Sequence, residues 1–94
     1  GRWVEVRASK QTEVSRVRAI VTPGVAFQIQ IQADGQWRTL PAEAVPDDPP
    51  CHHHYPSATT TACFSPTTID RFRVLFPEPG QEKEVVFELS AWRE

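Results

Sequence analysis

Apolar residues fall on every second position in six separate segments of this chain, and a period of two is the spacing of a strand with one buried and one wet face. Val4 and Val6 alternate with Trp3, Glu5 and Arg7. Val17, Ala19 and Val21 alternate with Arg16 and Arg18, with Ile20 as an apolar exception, and Phe27, Ile29 and Ile31 alternate with Gln28, Gln30 and Gln32. The segment Gln36 to Leu40 follows across Ala33-Asp34-Gly35. Asp-Gly between two alternating runs predicts a tight antiparallel hairpin, because both turn positions take positive φ. Phe72, Val74 and Phe76 then alternate with Arg71, Arg73 and Leu75, and Val85, Phe87, Leu89 and Ala91 with Val86, Glu88, Ser90 and Trp92.

No window sustains helical spacing, and nine prolines in 94 residues would break most helices. Amphipathic strands need a second layer over their apolar faces, whereas the strands of a parallel sheet buried by helices are apolar on both sides. The pattern therefore predicts an all-β fold, an antiparallel β-sandwich of two sheets, as one domain over residues 1–94. Phe27, Ile29, Ile31, Phe72, Val74, Phe76, Val85, Phe87 and Leu89 are its expected core.

Ten basic and twelve acidic residues leave a net charge of −2, which supplies no overall field for a phosphate backbone, so nucleic acid is not an expected partner. No apolar run is long enough to span a bilayer, and no membrane span is expected. The chain contains no methionine and begins at Gly1, from which it is expected to be a fragment or accessory module of a larger protein.

The least periodic stretch is Pro41 to Pro66, expected to be a long loop, and loops of that length are usually functional or disordered. It holds both cysteines, Cys51 and Cys63, which bracket a His-Tyr-Pro-Ser-Thr segment. A disulfide between them would close the loop with about 3 kcal/mol in the chain-entropy model and would place the protein outside the cytoplasm, secreted to an extracellular or periplasmic space. Two free thiols are the alternative. His52, His53 and His54 beside Cys51 form a possible zinc or copper ligand set, but a disulfide would remove the thiolates that such a site needs. Exposed histidines on a pinned loop are the simpler reading, and no metal or other cofactor is expected. Tyr55 either offers an aromatic face to a sugar ring or anchors its own loop. Trp37 is expected to pack on the sheet; Trp3 and Trp92 fall out of phase with the apolar set and suit edge cover or a docking surface.

In their order and spacing the segments resemble the discoidin, or coagulation-factor type C, domains of the galactose-binding-like group. Trp3-Val4-Glu5-Val6 is similar to that family's Trp-Val-Glu-Val strand, and Val14-Ser15-Arg16-Val17-Arg18 to the strand that follows. Phe27-Gln28-Ile29-Gln30 with Asp34-Gly35-Gln36-Trp37 is similar to its aromatic strand, turn and tryptophan. Phe64-Ser65-Pro66-Thr67-Thr68 and Ile69-Asp70-Arg71-Phe72-Arg73-Val74 are similar to its Phe-x-Pro and Arg-x-Val-Arg-Val strand. The resemblance implies a jelly-roll sandwich and a carbohydrate-binding or adhesive role through loops at one end. The family's calcium site is not carried over, because this chain starts just before the Trp-Val-Glu-Val strand.

Catalytic motifs are missing from the sequence: there is no Gly-rich phosphate loop, no Gly-x-Ser-x-Gly and no His-Glu-x-x-His, and Asp47-Asp48 in a proline-rich stretch reads as a solvated acidic tip. The chain is therefore expected to be a non-catalytic accessory module that binds carbohydrate at His52, His54 and Tyr55. The alternatives are a structural domain packed against a catalytic neighbour in the same protein and a metal-binding module built on the His52–His54 cluster.

Overall fold

In the computed structural model, residues 2–42, 44–47, 56–77 and 86–94 are described. Six strands run in chain order: β1 (Arg2–Val21), β2 (Gln28–Ala33), β3 (Gln36–Leu40), β4 (Ala44–Pro46), β5 (Ala58–Phe76) and β6 (Val86–Trp92). No helix occurs among the described residues, and all strand pairings are antiparallel. The described strands join in one hydrogen-bonded sheet instead of the two expected, in the order β3-β2-β5-β1-β6, with β4 on β5.

Two long strands produce this arrangement. β1 merges the first two expected strands into one of 20 residues, and β5, of 19 residues, begins well inside the stretch expected to be a loop. The run Ala58-Thr59-Thr60-Thr61-Ala62 explains the early start, since threonine is β-branched and suits a pleated surface. Pro66 does not interrupt β5, because it lies at a register shift: Arg16 pairs with Cys63 but Val14 with Thr67, so the segment between them bulges and donates no regular ladder bond there. A second shift separates Arg7↔Arg71 from Thr12↔Ile69, where the extra residues lie on β1.

These shifts divide the sheet into two wings. The first consists of β3, β2, the Arg71–Phe76 part of β5 and the Arg2–Arg7 part of β1. The second consists of β4, the Ala58–Cys63 part of β5, the Arg16–Val21 part of β1 and β6. Both contribute to one hydrophobic cluster: Ile29, Ile31, Phe72, Val74 and Phe76 from the first, and Val17, Ala19, Val21 and Ala62 from the second, with Val14 and Ile69 between them.

The expected phase holds in β2 and in the last part of β5, whose five expected core residues are buried. Phe27 and Leu89 are partly buried against the cluster. β6 departs from expectation: Val21 pairs with Val86 but Ile20 with Glu88, so a bulge turns Val86, not Phe87, towards the core, while Val85 lies outside the described residues. Val4 and Val6, despite clean alternation, remain 44% and 37% exposed.

The β2–β3 hairpin forms as its sequence requires, with Asp34 at φ 53° and Gly35 at φ 76°. Asp47 is not a solvated tip. Its backbone N–H donates to the Ser57 carbonyl at 2.9 Å, and its two carboxylate oxygens accept the hydroxyls of Ser57 and Thr59, each at 2.6 Å. This clasp ties together the two ends of the segment that contains the histidines.

Candidate functional site

Alternation that sends Ile29, Ile31, Phe72 and Val74 inward sends Gln30, Gln32, Arg71 and Arg73 to the opposite face of the first wing, along with Trp3 and Glu5 on β1 and Trp37 and Thr39 on β3. Register then decides which of these meet. Arg73 stands between Glu5 and Gln30, Gln30 is opposite Thr39, and Gln32 is opposite Trp37.

Arg73 is the centre of the resulting deck. Its guanidinium carbon is 3.8 Å from the centroid of the Trp37 ring and 5.6 Å from that of Trp3, within cation–π range of both. Its Nε donates to Gln30 Oε1 at 2.8 Å, and Gln30 Nε2 donates to Thr39 Oγ1 at 2.9 Å. This relay holds the guanidinium in one plane, with a neutral amide as its only hydrogen-bond partner among the described residues. The carboxylate of Glu5 goes instead to Arg71, at 3.4 Å. Trp3 is 56% exposed. The deck thus presents an indole face, a fixed cation whose other N–H donors have no acceptor among the described residues, and an ordered amide.

Indole faces pack against apolar C–H surface, while a planar cation and amides donate to hydroxyl or anionic oxygens. A concave feature lies between the wings: an apolar groove of about 370 Å³ lined by Val6, Phe72, Val14, Ile69, Leu89 and Ala91, with little polar chemistry to orient a ligand.

The residues singled out from sequence fare differently. His52, His54 and Tyr55 lie outside the described residues, as does Cys51. Cys63 stands exposed on β5 as a free thiol, and no disulfide is present among the described residues. Nor do the described residues bring three His, Cys, Asp or Glu side chains together in a way that could hold a metal ion. Trp37 packs on the sheet as expected, but on its outer face and against Arg73. Trp92 lies half-buried on the second wing with Arg18 over its ring at 5.2 Å.

Sequence reasoning missed Arg73, Gln30 and Thr39. The available signal was the polar phase of each strand: once the apolar phase is assigned inward, Trp3, Gln30, Trp37 and Arg73 fall together on the other face.

Comparison with protein-family models, with curated proteins and with solved structures finds no match to this chain, and so none that identifies a discoidin domain.

Proposed function

We propose that this chain is a non-catalytic carbohydrate-binding module, its two wings packed as the layers of a β-sandwich, and that the ligand lies on the Trp3–Arg73–Trp37 deck. The observation that carries the reading is the guanidinium of Arg73, which has no carboxylate partner among the described residues and is clamped between two indoles and oriented by Gln30. A pyranose has an apolar C–H face for the exposed indole of Trp3 and equatorial oxygens for the guanidinium and amide donors. A protein core would not require that combination on a solvent-facing sheet, where Arg73 could be replaced by any β-former.

The test is a screen on an oligosaccharide array followed by calorimetric titration of the best binder. Arg73→Lys keeps the charge but loses the planar fork and the stack, so it should weaken binding about tenfold or more. Trp37→Ala should weaken it at least as much. Arg18→Lys on the second wing should leave affinity unchanged. Retention of no glycan by the wild-type chain, or wild-type affinity in Arg73→Lys, would sink the proposal.

A second reading, a domain whose role is to pack against another protein surface, is favoured by the exposure of Val4 and Val6 on the same strand as Trp3.

A further inference from the structure

The outer face of the first wing extends beyond the stack around Arg73. Register sets Gln32, Arg71 and Arg7 in one row across β2, β5 and β1, and Gln30, Arg73 and Glu5 in the next. Leu75 and Trp3 stand opposite each other in the row after that. The face therefore grades from an apolar end at Leu75 and Trp3 to a cationic end at Arg71 and Arg7. Leu75 and Arg71 are four residues apart on β5, roughly 13 Å at a rise of about 3.3 Å per residue, which is longer than one pyranose ring.

Charge on this face is unbalanced. Glu5 is the one carboxylate in the paired strands of the first wing, and it shares the face with Arg7, Arg71 and Arg73. Arg71 and Arg73 both lie on β5 between β2 and β1, so amides flank them on one side and the other two charged residues on the other.

Arg71 is poorly satisfied within the described residues. Its Nη1 reaches Glu5 Oε2 only at 3.4 Å, whereas the Arg16–Glu94, Arg18–Glu88 and Arg93–Glu13 pairs close to 2.8, 2.8 and 2.9 Å. Its Nε is buried and has no acceptor among the described residues, a state that costs free energy. Arg7 stands directly opposite it, and like charges in that position of an antiparallel pair are destabilising. An anion held at this end of the face would offset that repulsion and give the guanidinium a closer partner.

We propose, resting on the carbohydrate reading above, that the ligand of this face is an acidic oligosaccharide. One ring lays its C–H surface on Trp3 and Leu75, and a carboxylate or sulfate ester on a neighbouring ring is held by Arg71 and Arg73. A guanidinium presents parallel N–H donors in a plane, the geometry that suits such oxygens. Gln32, beside Arg71 in the same row, supplies an amide for a hydroxyl next to the anion. The net charge of −2 gives no field for a long phosphate backbone, which favours a short acidic glycan over nucleic acid.

Calorimetric titration with related probes tests this: a short oligogalacturonate, the same oligosaccharide with its carboxyl groups reduced to alcohols, and that neutral form sulfated. The wild type should bind at least one charged form about tenfold more tightly than the neutral one, and the tighter of the two identifies the anion. Arg71→Gln should abolish that preference. Glu5→Gln removes the competing carboxylate and releases Arg71, so it should strengthen binding of the charged form about threefold, a gain that a misfolded variant could not produce. Equal binding of charged and neutral forms by the wild type overturns this inference and leaves the carbohydrate reading standing. Weaker or unchanged binding of the charged form by Glu5→Gln overturns it too, as does tighter binding of a single-stranded oligonucleotide than of either charged form. Binding of none of the oligosaccharides also overturns it, whereas the carbohydrate reading falls only if the wider array retains nothing.

Discussion

In the second wing Arg18 lies over Trp92 and gives its Nε to the carboxylate of Glu88 at 2.8 Å; in the first, Arg73 lies over Trp37 and gives its Nε to the neutral amide of Gln30. The second wing also pairs Arg16 with Glu94 at 2.8 Å, and β6 closes its edge of β1. The first wing leaves Arg7 without a carboxylate among the described residues and Trp3 exposed. One stacking motif is thus used in two ways. In the second wing the stacked cation has a carboxylate partner; in the first it has none among the described residues, which is the contrast on which the proposed function rests.

The largest effect expected from testing this contrast concerns what the wings share. Because Ile31 and Val17 belong to one buried cluster, truncating either should destabilise the whole domain, Ile31→Ala by about 2–5 kcal/mol and Val17→Ala by about 2 kcal/mol. Thermal unfolding of both variants should remain a single transition. Two separate transitions, one per wing, would break the picture of a common core and make the contrast one between independent units.

A middle-sized effect is expected at the base of the proline-rich segment. Asp47→Ala removes the acceptor of two short hydroxyl bonds, one from the buried Ser57, and should cost about 2 kcal/mol in denaturant unfolding. A negligible cost would mean that the second wing is held by its strands alone.

The smallest effect sharpens the electrostatic side of the comparison. Arg18 and Glu88 are each 42% exposed, so solvent screening leaves their ion pair little net value, and Glu88→Gln should change stability by less than about 1 kcal/mol. The variant also leaves Arg18 in the state of Arg73, a stacked cation bonded to a neutral group. If the wings differ in neutralisation alone, Glu88→Gln should acquire measurable affinity for the glycan proposed for the first wing; if position and the Gln30–Thr39 relay also matter, it should not.

Much of the fold was legible because a strand's burial repeats every two residues. Ile29, Ile31, Val74 and the Asp34-Gly35 turn each obey a local rule that needs no knowledge of their neighbours. Two of the failures lie where an extra residue changes the phase. Pro66 looked like the end of a loop because a proline cannot serve a regular ladder, and it is accommodated in a bulge; Phe87 looked inward until a bulge put Val86 there. The deck was not legible as a site, since Trp3, Trp37 and Arg73 are far apart in the chain and become neighbours through the strand order β3-β2-β5-β1.

By itself, then, the sequence determined that this chain forms antiparallel strands, where its hairpin turns, and which residues of β2 and the end of β5 face inward, because alternation and turn conformation are properties of neighbouring residues. The tertiary structure decided that the described strands join in one bulged sheet with two wings and that Arg73 is clamped between Trp3 and Trp37. Those outcomes depend on strand order and register, which arise from contacts between residues distant in the chain.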